Sequence, residues 1–304
     1  MKKNYIITDE FIDSRLDRWF KRVVINIPQS LLEKSIRKGL VKVNNKKKPS
    51  SYKLLLNDKI SLYETNFFVN KSEKITTPYK ATKKEISFSS TLFIENNDNF
   101  AIINKPAGIS VQSGTKSRRN ILDILRFTKE FSGFTPFTVH RLDKETTGLL
   151  IVAKNRKFAQ LFTSLFRIRK IHKVYLGVVM GSMDNKKGII KDDLIYYEDN
   201  KKTLIKAITH FTVLDSNNNY TVVKLSPETG RKHQLRKHLL MKGHPILGDT
   251  KYRISNKHIS KNSNLMLHAY KINFSIDNIK YNFTANLPDY FEKFIKEKYL
   301  KTYL

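Results

Sequence analysis

The chain has 304 residues, with 57 Lys and Arg against 27 Asp and Glu, which gives a formal net charge of +30. It contains no cysteine, and this excludes disulfide bonds, thiolate metal sites and cysteine nucleophiles. Its longest uncharged stretches fall well short of the roughly 20 residues that a membrane-spanning helix needs. The N-terminus reaches Asp9 before any long apolar run, so no signal peptide and a cytoplasmic location are expected.

The positive charge predicts a polyanionic partner, because Lys and Arg neutralise phosphates and release condensed counterions. Residues 14–48 carry eleven Lys or Arg against two acids, and residues 231–257 carry eight against one. Part of the excess is background composition, since Lys is abundant throughout the chain. Two clusters of this kind nevertheless favour a surface that faces RNA or DNA.

The first 65 residues are predicted to form a small unit of their own. Apolar residues recur at helical spacing between Leu16 and Val23. A second helix is predicted to begin at a capping box, with Ser30 as the cap, and to stop at Gly39. Two short strands are predicted over residues 41–43 and 59–63.

Basic residues stand beside the apolar positions of both predicted helices. The segment resembles the RNA-binding domain named after small-subunit ribosomal protein S-four, through Arg15-Leu16-Asp17, Ser30 and the run from Ile36 to Asn44. Residues 1–65 are therefore interpreted as an S-four-type RNA-binding domain. A basic two-helix unit with no ligand is the alternative.

Residues 66–85 are polar, lack periodicity and are interpreted as a linker. The larger unit, residues 86–304, is predicted to contain hairpins over residues 91–104, 204–225 and 266–285, buried strands over 148–153 and 173–180, and helices after Asn120, Asn155, Gly230 and Pro288. Hairpins outnumber β-α-β units, so an α+β fold on a mostly antiparallel mixed sheet is expected.

Glycine-rich phosphate loops and His-Glu-x-x-His zinc motifs are both missing from the sequence. The most informative segment is His140-Arg141-Leu142-Asp143, just before the predicted strand at Gly148. Neighbouring cations favour the ionised form of Asp143, and an ionised carboxylate at the mouth of a strand can attack a sugar carbon or stabilise an oxocarbenium-like centre. A structural aspartate in a turn is an equally good reading of this segment alone.

Two further segments carry candidate side chains. If the segment from Gly230 onward is helical, Arg231, Gln234 and His238 share one face and Arg236 points elsewhere. Tyr175, on a predicted strand, could stack on a base or exchange a proton, although a half-buried strand tyrosine is the commoner case.

Together these segments resemble the RluA-type pseudouridine synthases. The matching runs are Asn104-Lys105-Pro106-Ala107-Gly108, His140-Arg141-Leu142-Asp143 with Thr147-Gly148, Lys173-Val174-Tyr175-Leu176, Thr229-Gly230-Arg231-Lys232-His233-Gln234-Leu235-Arg236, and Gly243 to Asp249. With the N-terminal domain the likeness covers nearly the whole chain, and it is greatest to the RluC-like enzymes that act on bacterial large-subunit (23S) ribosomal RNA. Gln112 and Thr147 depart from the common pattern, which has His and Ser there.

The resemblance implies isomerisation of uridine to pseudouridine without a cofactor. It implies that Asp143 opens the bond between uracil and ribose, that Tyr175 lies against the base and removes its C5 proton, and that Arg231 pairs with Asp143. It further implies that Arg141 fills the gap left by the flipped nucleotide and that His140, Thr147 and Leu235 help to form the substrate pocket. A monomer that binds ribosomal RNA is expected.

Three alternatives stay open. The first is a non-catalytic RNA-binding ribosome-assembly factor, which would not need Asp143, Tyr175 and Arg231. The second is a synthase that acts on transfer RNA. The third is a glycoside-type hydrolase that uses Asp143 with Glu145, although Glu145 has no obvious apolar pocket to raise its pKa.

Overall fold

A computed structural model of the chain describes residues 2–25, 27–63, 79, 81–112, 119–198, 201–254 and 264–302. The chain divides into two compact units, Met1–Pro78 and Tyr79–Leu304. Most of the predicted linker, residues 66–78 and 80, lies outside the described residues. A helix begins at Lys83, inside the range that was predicted as linker, because Thr82 and Glu85 form a capping box.

The N-terminal unit packs two helices on a three-stranded sheet. Its elements are β1 (Lys3–Ile6), α1 (Leu16–Val23), α2 (Gln29–Arg37), β2 (Val41–Val43) and β3 (Lys59–Leu62). The antiparallel strands lie in the order β1-β3-β2. Trp19 and Phe20 of α1 and Leu32 of α2 are buried in its core, as the helical spacing predicted.

The large unit is built on one ten-stranded sheet. Its elements are α3 (Lys83–Ser90), β4 (Phe93–Asn96), β5 (Phe100–Lys105), α4 (Ile121–Leu125), β6 (Phe137–Thr138), β7 (Thr147–Ala153), α5 (Arg156–Arg167), β8 (His172–Met180), β9 (Lys187–Glu198), β10 (Lys201–Ser216), β11 (Tyr220–Pro227), α6 (Gln234–Met241), β12 (Leu267–Ile276), β13 (Ile279–Thr284) and α7 (Asp289–Glu297).

The strands follow the order β4-β5-β7-β12-β8-β11-β10-β9, with β13 also paired to β12 and β6 to β7. Every pairing is antiparallel except that of β7 with β12. The predicted α+β class with a mostly antiparallel mixed sheet is therefore confirmed. None of the helices in the described part of the chain has the length and apolar character that crossing a membrane requires.

The parallel join between β7 and β12 sets the position of the site. These strands pair at only two positions, Thr147 with His268 and Gly148 with Ala269. A Cβ on Gly148 would lie 2.3 Å from the Ala269 carbonyl oxygen, and the residue has φ +103°, so only glycine fits this approach. The loop before β7 is thereby held at the end of the sheet, close to β8 on the other side of β12.

Several predicted boundaries were wrong. Helix α6 begins at Gln234, after His233 with φ 55°, so Arg231 precedes the helix and shares no face with it. Ser30 lies inside α2, which begins after Pro28. The helix after Asn120 was predicted to run through Phe131 but ends at Leu125 and is followed by a short 3-10 turn, and strand β9 was not predicted at all.

Candidate active site

One large cavity opens where the loop before β7, strand β8 and the start of α6 meet. It has a volume of about 630 Å³ and is lined by residues from all three regions. Asp143, Tyr175 and Arg236 are among the lining residues, together with the predicted Arg141 and Leu235. This volume lies within the range of roughly 300–1,000 Å³ that is common for small-molecule pockets.

A buried lysine holds the loop that carries Asp143 in place. Lys105, at the end of β5, has no exposed surface. Its Nζ donates hydrogen bonds to the carbonyl oxygens of Pro106 at 2.7 Å, Ile109 at 3.0 Å and Lys144 at 3.1 Å. Burial lowers the pKa of Lys105 to about 7. Because Lys144 follows Asp143 directly, this lysine holds the backbone that presents the carboxylate.

Arg236 is the cation that pairs with Asp143. Its Nη1 lies 3.1 Å from Oδ2 of Asp143, while its Nε and Nη2 donate to the two carboxylate oxygens of Asp249 at 2.6 and 2.7 Å. Burial alone would lower the pKa of Arg236, but the two carboxylates outweigh it and raise the pKa. The guanidinium is therefore a fixed positive charge, aimed at Asp143 by a second, fully buried acid.

His233 approaches the other oxygen of Asp143. Its Nε2 lies 3.5 Å from Oδ1, and its Nδ1 lies 2.9 Å from the hydroxyl of Tyr252. If the Tyr252 hydroxyl donates to Nδ1, the ring proton of neutral His233 sits on Nε2 and faces the carboxylate. Asp249 also accepts a hydrogen bond from the Tyr252 backbone N–H at 2.9 Å, so one buried acid positions both partners of Asp143.

The predicted pairing of Arg231 with Asp143 is wrong. Arg231 is exposed, and its Nε donates to the Lys206 carbonyl oxygen at 3.3 Å. The error follows from the helix start: because α6 begins at Gln234, Arg236 lies in its first turn and faces the cavity. The sequence carried no local signal for Arg236, because the burial of Asp249, which requires a buried cation, is visible only in the structure.

Tyr175 lies where it was predicted, on β8 in the wall of the cavity. Burial, and secondly the charge of Asp143, raises the pKa of its phenol. At neutral pH Tyr175 is therefore protonated. Its ring supplies an apolar wall and its hydroxyl a hydrogen-bond donor beside the carboxylate.

Lys173 is a second cation in the cavity wall, and its role was not predicted. It stands two residues before Tyr175 on β8, on the same face of the strand. Its ammonium lies 5.7 Å from the centre of the Phe166 ring, and no carboxylate pairs with it among the residues that the structure describes. Burial lowers the pKa of Lys173.

His140 and Arg141 both line the cavity, but only His140 is held by hydrogen bonding and packing within the protein. The Ile151 backbone N–H donates to Nε2 of His140 at 2.8 Å, and the ring packs on Phe166. Burial, and secondly Lys173, lowers the pKa of His140 to about 3, so it stays neutral and ties the loop to β7. Arg141 is exposed and has no ion pair within the described part of the chain.

Thr147, which was predicted to help form the substrate pocket, does not line the cavity. Thr147 is buried beside the core, and its hydroxyl lies 2.8 Å from Nδ1 of His268. Thr146 lines the cavity in its place. Leu235 does line the cavity, while it also belongs to the apolar cluster beneath it.

Glu145, the acid required by the hydrolase alternative, points away from the site. Its side chain is 50% exposed, lies 4.0 Å from the Lys144 ammonium and does not line the cavity. Among the described residues no group of three or more His, Asp or Glu side chains is arranged to hold a metal ion. The described site thus offers Asp143, fixed cations and apolar walls, while Glu228, the other carboxylate that lines the cavity, is paired with His210 and Arg169.

Known proteins resemble this chain in sequence over most of its length. The family model described as RNA pseudouridylate synthase matches residues 99–241. The "Ribosomal large subunit pseudouridine synthase C" of Rickettsia felis is 34% identical, over 94% of this chain and 97% of its own length. The protein of the same name from Buchnera aphidicola is 32% identical, over 93% of this chain and 92% of its own length.

A solved structure shares the fold of the large unit. The human protein titled "RNA Pseudouridylate Synthase Domain Containing 4" superposes with a TM-score of 0.62 at 25% identity. The match covers 72% of this chain and 98% of the human one.

Proposed function

The chain belongs to the RNA pseudouridylate synthase family, and from this membership we propose that it converts specific uridines of large-subunit (23S) ribosomal RNA into pseudouridine. The observation that carries the proposal is the placement of Asp143, half-buried in a cavity of nucleotide size and held by Arg236 and His233. The names of relatives that match this chain almost from end to end support the choice of RNA.

Asp143 is proposed to open the glycosidic bond. Its carboxylate either attacks C1′ of the ribose or assists formation of a glycal, and in both cases the C1′–N1 bond breaks with its electron pair leaving on the base. The two oxygens differ in their partners, since Oδ2 lies beside Arg236 and Oδ1 beside His233. This arrangement holds the carboxylate in one orientation, aimed at one point of the cavity.

The detached base carries the negative charge until the new bond forms. Lys173 is proposed to stabilise that charge at a carbonyl oxygen of the base, because its ammonium lines the cavity without a protein carboxylate. C5 of the base then bonds to C1′ while the bond between C1′ and Asp143 breaks or, on the glycal route, while Asp143 returns the proton it took from C2′. Tyr175 packs against the ring and is the proposed acceptor of the C5 proton, while N1 takes up a proton from solvent. Its raised pKa makes the phenolate scarce but strongly basic, so this step should become faster as pH rises.

The target nucleotide has to leave its stack, because the bond between sugar and base is otherwise out of reach. Arg141 is proposed to fill the space that the nucleotide vacates, since it is exposed at the cavity and has no partner among the described residues. Apolar walls such as Leu235 exclude the water that would otherwise trap the detached sugar.

The N-terminal unit is proposed to be an S-four-type RNA-binding domain. Exposed basic side chains surround its two helices, at Arg18, Lys34, Arg37, Lys38, Lys46 and Lys47. Cations on a rigid helical face suit the phosphates of folded RNA, which proteins recognise largely by shape.

The function is tested by mapping pseudouridine in ribosomal and transfer RNA from cells with and without the gene, and after complementation with the Asp143→Asn variant. We expect large-subunit sites that disappear on deletion and return only with the unaltered protein. Loss of sites in transfer RNA alone would reassign the substrate, and no change in any RNA would refute the proposal.

The role of the N-terminal unit is tested by removing residues 1–65. The truncated protein should bind the large-subunit RNA more weakly, while its circular-dichroism melt still shows a folded large unit. Equal modification efficiency in the truncated and full chains, at limiting RNA, would exclude an RNA-binding role for this unit.

A further inference from the structure

We propose that a groove beside the catalytic cavity binds the phosphodiester backbone of the RNA next to the flipped nucleotide. This side groove is lined by Leu194, Ile195, Ile205, Gly230, Arg231, Lys232 and Lys237. The inference rests on the proposed function, because it assigns the site to the same RNA strand whose uridine enters the cavity.

The side groove adjoins the cavity. Residues Gly230 to Lys232 line both, so they form the ridge between the two spaces. On the far side of the ridge, the β9–β10 hairpin closes the groove with Leu194 and Ile205, which are register partners. A strand leaving the cavity over this ridge would therefore pass directly into the side groove.

The cations of the groove have no counter-ions in the protein. No described residue forms an ion pair with Arg231, Lys232 or Lys237. Burial, and secondly the charges of Lys251 and Lys232, lowers the pKa of Lys237, which shows that positive groups crowd this position. Unpaired and mutually repelling cations are stabilised by a bound anion.

Arg231 is pre-positioned for such an anion. Its backbone N–H donates to Oε1 of Gln234 at 3.0 Å, and its Nε donates to the Lys206 carbonyl oxygen at 3.3 Å. Neither Nη1 nor Nη2 has a hydrogen-bond partner among the described residues. Lys237 is tethered similarly, with its Nζ 3.4 Å from the Ile195 carbonyl oxygen. A held guanidinium with a free edge is the geometry that proteins use for phosphate.

The size and lining of the groove favour a backbone segment over a free small molecule. Its volume of about 260 Å³ is below the roughly 300–1,000 Å³ of typical ligand pockets. Arg231 and Lys232 stand on the ridge and Lys237 on α6, while aliphatic side chains form the opposite wall. This combination suits a phosphate flanked by sugars, and it carries no group that reads a base edge.

The test compares the Arg231→Gln/Lys237→Gln double variant with a matched control, Arg156→Gln/Lys280→Gln. The control removes the same charge from exposed positions that line neither cavity nor groove. The first substrate is a transcript of large-subunit RNA, which identifies the modified uridine. The second substrate is a synthetic oligonucleotide that contains this uridine and its neighbours. In the oligonucleotide, single phosphates near the target are replaced by neutral methylphosphonates.

We expect the groove variant to raise KM about tenfold or more, because each lost charge-assisted hydrogen bond typically costs about that factor. The slope of log KM against log salt should decrease by roughly one for each lost phosphate contact. In the control variant, KM and this slope should change only as much as the lower net charge of the protein accounts for. At one position, the methylphosphonate should raise the KM of the unaltered protein strongly and that of the groove variant hardly at all.

The inference would be overturned if the effects of the groove substitutions and of the methylphosphonate were additive at every phosphate position. An unchanged KM in the groove variant would overturn it as well. That result is distinguishable from failure of the proposed function, because the unaltered protein would still form pseudouridine. Arg231→Lys separates charge from geometry: partial recovery of KM indicates a point charge, and none indicates the forked contact.

Discussion

The interior of the catalytic cavity and its rim differ in whether their charged side chains are paired. Inside, Arg236 donates hydrogen bonds to both Asp143 and Asp249, so the Asp143 carboxylate is held in one orientation. On the rim, Arg141 and Arg231 are exposed and have no carboxylate partner within the described residues. Paired, buried charges fix the geometry of a reaction, whereas unpaired, exposed cations are available to a polyanion.

This difference predicts which kinetic quantity each region controls. Changes inside should lower kcat, since they disturb groups near the reacting atoms. Changes on the rim should raise KM and alter its salt dependence, since they remove contacts to the RNA backbone. The following variants test that division, from the largest expected effect to the smallest.

Asp143→Asn should lower kcat by about 10³-fold or more, because the amide is neither a nucleophile nor an anion. RNA affinity should be retained, as measured by filter binding. Glu145→Gln is the matched control, since it alters an exposed carboxylate two residues away. Pseudouridine formed at the normal rate by Asp143→Asn would refute its assignment.

Arg236→Gln should lower kcat about 10²-fold and destabilise the large unit by roughly 3 kcal/mol, because it leaves Asp249 buried without its cation. Thermal unfolding followed by circular dichroism measures the loss of stability. The sole tryptophan, Trp19, lies in the other unit, so its fluorescence serves as an internal control. Arg231→Gln should leave the melting temperature unchanged, and the opposite pattern would reverse our assignment of these two arginines.

Lys173→Met should lower kcat by roughly tenfold to a hundredfold on uridine, since it removes the cation beside the detached base. The loss should be smaller for consumption of 5-fluorouridine in the same RNA, because the fluorinated base is a more acidic leaving group that needs less help. An equal loss on both substrates would indicate a structural role. Lys173→Arg, which keeps the charge, should recover part of the activity.

Lys105 predicts a dependence of stability on pH. Its pKa is about 7 in the folded protein and about 10.4 when unfolded, so between these values the unfolded chain binds more protons. Stability from this group therefore rises with pH between about 7 and 10, and it is lowest below pH 7. Urea denaturation of Lys105→Met should lack this rise and should show a loss of about 3 kcal/mol from unsatisfied carbonyls. The same pH slope in the variant and the unaltered protein would contradict the assignment.

The sequence allowed more of the fold to be predicted than of the site. Strands and helices with regular apolar spacing, such as β8, α5 and α1, lie close to their predicted positions, because burial of one face is a local pattern. Strand β9 was missed since its alternation is interrupted by acids, and it becomes a strand by pairing with β10. The start of α6 was misplaced because Gly230 resembles a helix boundary, while the real boundary is His233 in a left-handed conformation.

The amino-acid sequence by itself determined the identity of the chemical groups: one carboxylate before a buried strand, a tyrosine on the following strand of the chain and an excess of cations without cysteine. Only the tertiary structure decided which cation meets Asp143, because that choice depends on where α6 begins and on Asp249 reaching Arg236 from a distant loop. It also decided that Thr146, and not its neighbour Thr147, lines the cavity. Such pairings are made across the sheet between residues far apart in the chain, and local periodicity carries no information about them.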